Sequence, residues 1–203
     1  MEIISDILYW ISTGLLVPVI VALILLFLRS LLLIGSFFGQ YLAIRKSAAQ
    51  IRKALTGISS ENIDSVTANL PKKSDMLVVS FVKKMIESKD NYAEVKRLLA
   101  EFEIAADKDL ATCKMLSKLG PMLGLMGTLI PMGPALAGLA SGDIESMARN
   151  MQVAFATTVT GLVAAAIGYV TQQVKQRWYL QDMTNLEYLS DITSVRNNYT
   201  TRL

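Results

Sequence analysis

The chain has 203 residues, a formal net charge of +3 and 52% hydrophobic residues, with a mean hydropathy of +0.41. A soluble domain is about 45–50% apolar and spreads its apolar residues along the chain. This sequence instead gathers them into long runs. The small charge excess gives no reason to expect nucleic-acid binding, and the absence of histidine excludes a histidine metal site and a histidine-based catalytic triad. We therefore expect an all-α membrane protein that is not an enzyme and holds no metal or cofactor.

The first apolar block extends from about residue 7 to residue 44 and is interrupted by Pro18, Arg29 and Gln40. A helix needs about 20 residues to cross the hydrocarbon core, so the segment of residues 1–44 holds a span over about residues 13–36. The first residues are acidic and include no Lys or Arg, unlike a cleaved signal peptide, so we expect the span to be retained. Arg29 is either a charge that faces a cavity or a side chain that reaches back to the membrane interface.

The segment of residues 45–115 is polar and helical in character. The run Ser59-Ser60-Glu61 offers a helix cap, and Pro71 marks a break that is followed by another cap. From residue 90 to residue 119 the apolar residues recur at helical spacing, which predicts a helix with one buried face. That face comprises Tyr92, Val95, Leu98, Leu99, Phe102, Ala105, Ala106, Leu110 and Cys113. The charged residues between them form either a solvated surface or a contact with neighbouring subunits.

Two further apolar runs predict transmembrane helices over residues 116–140 and 151–172, joined by a short loop of residues 141–150. Residues 173–203 are expected to form a helical tail. Lys and Arg are concentrated after the first span, before the second and after the third, while the short loop holds only Arg149. Three spans predict a multi-pass protein of the cell membrane. Its orientation follows from the basic residues, which stay on the cytoplasmic side. Its N-terminus and short loop would lie outside, and residues 45–115 and the tail in the cytoplasm.

The second and third spans carry small residues at helical spacing, which allow helix backbones to approach closely in lipid. We therefore expect four glycines to pack helices together: Gly120, Gly124, Gly127 and Gly161. The second span also contains prolines, which remove backbone donors and should bend the helix. These are Pro121, Pro131 and Pro134. The carbonyls that they leave without a donor must face protein or a water-filled path.

Four threonines supply hydroxyls within these two apolar spans: Thr128 in the second, and Thr157, Thr158 and Thr160 in the third. A single threonine in a membrane helix is ordinarily explained by a bond from its hydroxyl to the carbonyl one turn back. A cluster of three, opposite a threonine at a Gly-Thr step, favours a hydroxyl-lined path instead. We therefore expect all four hydroxyls to line a pore.

The run from Gly124 to Thr128, followed by the run from Ala154 to Leu162, resembles the signature of the MotA/TolQ/ExbB proton-channel family. The predicted layout of three spans with a large segment between the first two is similar to that of ExbB and TolQ. The resemblance implies a homo-oligomer, a pentameric ring whose second and third helices line a central pore, surrounded by lipid. It also implies a single-span partner, similar to ExbD, TolR or MotB, whose intramembrane aspartate takes up the transported protons. Thr128 and Thr158 match the family's pore threonines.

The second and third spans contain no Asp, Glu, Lys, Arg or His in their apolar cores. Threonine hydroxyls form hydrogen bonds but do not hold and release a proton near neutral pH. A proton channel built from these spans therefore needs an ionisable group from a second chain.

The chain departs from the family pattern in three places. Val153 stands where members often have an acidic residue, Ile167 replaces a common proline, and the second span gains Pro131 and Pro134. The resemblance predicts a subunit that converts proton-motive force into mechanical work or energised protein transport. The alternative is a membrane scaffold that oligomerises through its small-residue faces and conducts nothing.

Overall fold

The computed structural model describes residues 2–56, 77–88 and 91–200. These residues form four helices, and no strand occurs among them. Helix α1 comprises Glu2–Thr56, α2 Leu77–Glu87, α3 Tyr92–Ser141 and α4 Ile144–Thr200. Three of the four, α1, α3 and α4, are long and apolar enough to cross a membrane. The cap predicted at residues 59–61 and the break and cap predicted from Pro71 lie outside the described residues.

The second and third predicted spans are parts of longer helices. Helix α3 begins at Tyr92 and continues without interruption through all three prolines to Ser141. Helix α4 runs on from the third span to Thr200. Each apolar stretch is therefore continuous in secondary structure with a polar helical stretch.

The connection between α3 and α4 is much shorter than the predicted loop of residues 141–150. Only Gly142 and Asp143 separate the two helices, and Gly142 has a positive φ of 78°, which glycine adopts without strain. The Asp143 amide donates to the carbonyl of Gly138 at 2.8 Å, and the Asp143 carboxylate accepts from the Ser146 amide at 3.0 Å. Asp143 is thus the N-cap of α4, so the polar residues that follow it are helical.

The chain divides into two compact units, of which the first comprises Met1–Ser36 and Thr112–Gln172. Helix α1 contributes a single buried stripe to it, in which residues recur three or four apart as in a heptad repeat. The stripe comprises Val19, Leu23, Leu26, Ser30 and Leu33. Leu26 and Leu33 enter one cluster with Leu116 of α3 and Ala164 of α4. Arg29 is exposed and lies outside the stripe.

The second unit comprises Phe37–Ala111 and Gln173–Leu203. Helix α2 packs its apolar face against the first turns of α3 and against α4 in a single core. That core contains Val78, Val79, Phe81, Val82, Met85, Ile86, Val95, Leu98, Phe102, Leu186 and Leu189. The apolar face predicted between residues 90 and 119 is confirmed, because Val95, Phe102 and Cys113 are among the most buried residues.

A polar cluster joins α3 to α4 within the second unit. The Lys175 ammonium lies 2.8 Å from Asp109 Oδ2, and the Tyr179 hydroxyl donates to the same oxygen at 2.7 Å. The Lys175 side chain is only 4% exposed, whereas that of Asp109 is 38% exposed. The sequence places Lys175 among the basic residues that follow the third predicted span. The structure shows it instead as a buried charge held by an ion pair.

Removal of the Asp109 carboxylate should destabilise the protein, because it leaves the buried Lys175 ammonium without its ion-pair partner. We expect Asp109→Ala to lower the free energy of unfolding by about 2–4 kcal/mol, and Asp109→Leu with Lys175→Met to restore most of it. Thermal unfolding in detergent measures both. Glu145→Ala is the control, because the Glu145–Arg149 pair is largely exposed and contributes less than about 1 kcal/mol. Equal effects of Asp109→Ala and Glu145→Ala would contradict the assignment.

Asp182 makes the stability of the second unit depend on pH. It lies seven residues after Lys175 and four before Leu186 on α4, in the polar stretch beyond the predicted span of residues 151–172. Burial raises its pKa to about 6. The folded protein therefore keeps the proton that the unfolded chain releases near pH 4. Stability falls as the pH rises from about 4 to about 6, and the full penalty, at most roughly 3 kcal/mol, applies above that range.

Replacement of Asp182 by Asn should remove this penalty. We expect Asp182→Asn to raise the melting temperature at pH 8 and to leave it nearly unchanged at pH 4, when thermal unfolding is followed in detergent. Glu103→Gln, a change at an exposed carboxylate of α3, is the matched control and should show no such difference. A gain of equal size at both pH values would show that charge is not the cause.

Candidate functional site

The backbones of α3 and α4 touch at a pair of glycines, and we call the contact between these two helices the glycine seam. A Cβ atom added to Gly120 would lie 2.6 Å from the Gly161 carbonyl oxygen. One added to Gly161 would lie 2.5 Å from the Gly120 carbonyl oxygen and 3.0 Å from Gly124 Cα. No side chain fits in either place, so only glycine allows this approach.

Three more glycines extend the seam along both helices. A Cβ atom at Gly124 would lie 3.5 Å from Thr158 Cα, and one at Gly127 would lie 2.5 Å from Thr157 Oγ1. Gly168 was not predicted, yet a Cβ atom there would lie 2.7 Å from Leu116 Cβ. Its signal in the sequence is its position seven residues, two helical turns, after Gly161. The four predicted packing glycines thus lie between two helices of one chain, while their part in contacts between subunits stays a prediction.

The four threonines do not share one face, contrary to expectation. Thr157 is 8% exposed and lies in the seam itself against Gly127. Leu123 of α3 and Ile167 of α4 pack against the cluster that α1 enters, so they mark the side of the seam on which α1 lies. Thr160 precedes Ile167 by seven residues, which is two turns, so it lies on the side of α1.

Thr128 and Thr158 lie on the opposite side of the seam. A helix turns by about 100° per residue, which places Thr158 about 180° from Ile167, nine residues away. The same geometry places Thr128 about 140° from Leu123, five residues earlier. Both hydroxyls therefore point away from α1, and Thr158 lies level with Gly124, one turn from Thr128. We call this surface of the α3–α4 pair the hydroxyl face.

The hydroxyl face is apolar around these two side chains. Its neighbours are exposed apolar residues: Leu125, Met132, Phe155 and Leu162. The sequence has no charged residue from position 119 to 142 or from position 150 to 174, and Thr128 is the only polar side chain between Lys118 and Ser141. At the level of the two threonines, the hydroxyl face therefore has hydroxyl groups but no charged side chain to bind a counter-ion.

The threonine hydroxyls are fixed by their own helices. Thr128 donates to the Leu125 carbonyl at 2.7 Å, and Thr158 donates to the Ala154 carbonyl at 3.2 Å. A hydroxyl has one donor and two acceptor lone pairs, so the proton is directed to the backbone and the oxygen remains able to accept. Each oxygen can therefore accept a hydrogen bond from water or from a protonated acid.

The prolines of α3 add backbone acceptors near this face. Proline has no N–H, so the carbonyl four residues earlier loses its helical donor. Pro131 has this effect on the carbonyl of Gly127, next to Thr128, and Pro121 has it on that of Ser117. Pro131 is fully buried and Pro121 is exposed. The bend that we predicted at these positions stays a prediction.

A model of the MotA/TolQ/ExbB proton channel family matches residues 73–187, more than half of the chain. The chain belongs to this family. The matched region contains the glycine seam, the turn at Gly142 and all four threonines, whereas α1 lies before it. Members of the family are channel and transport subunits rather than enzymes. None of the curated proteins matches the chain.

The polar residues of the site are visible in the sequence, but the side of the seam on which each one lies is not. The α1 stripe is hidden because almost every residue near it is apolar, so no periodicity is visible before the structure shows which residues are buried. The spacing of Thr158 and Thr160 did hold a usable signal. Residues two apart on a helix differ by about 200°, so the two hydroxyls cannot line the same path.

Widening the seam at Gly161 should separate α3 from α4. We expect Gly161→Ala to lower the melting temperature clearly and Gly161→Leu to prevent stable folding, because the new atoms meet the backbone of Gly120 rather than a flexible side chain. Thermal unfolding and the yield of purified protein measure the effect. Gly14→Ala is the control, since nothing lies within 4 Å of its added Cβ atom. A Gly161→Ala protein as stable as Gly14→Ala would refute the close contact.

Proposed function

We propose that this protein is the pore-forming subunit of a proton-driven motor, working in the cell membrane with a single-span partner that carries an intramembrane aspartate. The observation that supports it most directly is the hydroxyl face, on which Thr128 and Thr158 are surrounded by apolar side chains with no charged residue. Membership of the proton channel family supports the same function. The work performed is either mechanical or energised transport, including that of proteins.

The need for a partner follows from the chemistry of the site. Hydroxyls with ordinary pKa values pass a hydrogen bond along but do not store a proton. A carboxylate from a second chain supplies the missing group, and a partner similar to ExbD, TolR or MotB would present it from a helix in the pore. Proton transfer then changes the charge on the partner only.

The threonine geometry favours one protonation state of that carboxyl. With both hydroxyl protons directed to backbone carbonyls, the Thr128 and Thr158 oxygens accept hydrogen bonds. A protonated carboxyl donates one, whereas a carboxylate can only accept. The hydroxyl face would thus hold the neutral acid, and loss of the proton to water would release the partner from it. Repeated binding and release against successive subunits would drive relative movement of ring and partner.

The arrangement of the assembly is proposed on the same basis. Subunits would form a ring, a pentamer by resemblance to the family, with the hydroxyl face toward the pore and α1 toward lipid. The N-terminus and the turn at Gly142 would lie outside, while residues 45–115 and the tail would lie in the cytoplasm, in agreement with the distribution of Lys and Arg.

The scaffold alternative is weakened by the glycine seam. That alternative depended on small-residue faces that were free to join subunits. In the structure these faces are used within one chain, because Gly120, Gly124 and Gly161 bring α3 and α4 together. The small residues therefore no longer argue for a purely oligomerising role.

Loss of the Thr158 hydroxyl should reduce proton conduction without affecting assembly. We expect Thr158→Ala and Thr128→Ala each to lower proton flux about five- to tenfold, since each removes a hydrogen bond that forms only with the partner acid. Thr158→Ser should keep most of the flux. The measurement is dye-reported acidification of vesicles that contain the complex purified with its partner.

The control for this experiment is Thr160→Ala, which removes a hydroxyl on the side of α1. It should conduct like the wild type, and the mass of every complex should be unchanged. Wild-type flux in Thr158→Ala would refute the assignment of that residue. A wild-type complex that conducts no protons in the presence of its partner would refute the proposed function.

A further inference from the structure

Two further hydroxyl side chains repeat the pattern of the threonines nearer to the charged ends of the helices. Ser117 precedes Thr128 by eleven residues in α3, and Tyr169 follows Thr158 by eleven residues in α4. Eleven residues are close to three turns, so each pair differs by only about 20° around its helix. Because the helices are antiparallel, both displacements run in the same direction, over about 16 Å.

Contacts across the seam place these two residues at the same level. A Cβ atom added to Gly168, the residue before Tyr169, would lie 2.8 Å from the backbone nitrogen of Ser117. Both side chains also point away from α1. Tyr169 is two residues from Ile167, about 160° around α4, and Ser117 is six residues from Leu123, about 120° around α3. Tyr169 is 56% exposed.

The surface between the two levels is apolar. Going from the threonines toward Ser117 and Tyr169, the hydroxyl face presents Leu125 and Pro121 on α3 and Leu162 on α4, and all three are exposed. Beyond this apolar stretch, the first groups that can bind water are the Ser117 and Tyr169 hydroxyls. The Ser117 carbonyl can also bind water, because Pro121 has no N–H to donate to it. Two side-chain hydroxyls and one backbone carbonyl therefore lie at one level of the helix pair.

We propose that Ser117 and Tyr169 form a second polar level that positions the water through which protons leave the channel. This inference rests on the proposed function and extends it. A proton released by the partner's aspartic acid near Thr158 must travel about 16 Å, too far for direct transfer, so it needs a chain of waters. Hydroxyls that both donate and accept hydrogen bonds hold the inner end of such a chain.

The transfer leaves both residues chemically unchanged. The carboxyl O–H bond breaks and a proton joins the nearest water, while each following water accepts one proton and donates another. Where Tyr169 takes part, its oxygen accepts a hydrogen bond from one water and its O–H donates to the next. The net result is one proton moved from the partner to the inner side, and the carboxylate regains a proton from outside.

The test separates this role from simple anchoring of a helix at the membrane interface. An anchor depends on the ring of the tyrosine, whereas a water-holding site depends on its hydroxyl. We expect Tyr169→Phe and Ser117→Ala each to lower proton flux about fivefold, the effect of one lost hydrogen bond. Tyr169→Gln, which restores a polar group, should recover much of the flux. The solvent isotope effect in D2O should rise in Tyr169→Phe, because water transfer then limits the rate.

The experiment uses the complex with its partner in vesicles that contain a pH-sensitive dye, with Tyr188→Phe as the control for loss of an exposed tyrosine hydroxyl elsewhere on α4. Unchanged flux in Tyr169→Phe and Ser117→Ala, while Thr158→Ala remains defective, would overturn this inference alone. A complex of reduced mass in Tyr169→Phe that Tyr169→Gln does not repair would overturn it too, by showing a structural role. A wild-type complex without flux would overturn the proposed function and this inference with it.

Discussion

The contact between the Gly120 and Gly161 backbones is the constraint on which the rest of the first unit depends. It brings α3 and α4 closer together than any side chain between them would allow. It therefore also determines which face of each helix is buried in the contact. The two-residue turn at Gly142 holds the same pair at one end. Within the first unit, the seam divides the remaining surface of α3 and α4 into two sides.

The two sides of the seam have different chemistry. Leu123 and Ile167 lie on the side that the α1 stripe covers, and Thr160 lies there as well. Thr128 and Thr158 lie on the other side, away from α1. An apolar surface whose few hydroxyls can accept hydrogen bonds suits an acid that becomes neutral before it binds. The seam buries one face of each helix, and α1 covers one side of the pair. The hydroxyl face is therefore the side that remains available for function.

Much of this could be predicted from the sequence, and the rest could not for definite physical reasons. Long apolar runs gave three spans, and glycine spacing gave the residues of the seam, because these signals are local. The stripe of α1 could not be found, since periodicity is invisible where almost every residue is apolar. Asp143 caps α4 although the sequence predicts a loop there, because polar residues after a cap resemble a loop. The burial of Lys175 required the fold, since Asp109 is distant in sequence.

The lack of a charged residue in the apolar stretches of α3 and α4 also has an energetic reason. A charge at the centre of a membrane helix is costly, and a carboxylate in each subunit would impose that cost at every position around a ring. It would also make the packing of each subunit depend on its own protonation state. Threonines bound to their own helices avoid both effects, because their hydrogen bonds are satisfied whether or not an acid is present. In the proposed ring, each such subunit would keep one structure throughout the cycle, and only the proposed partner would alternate between charged and neutral.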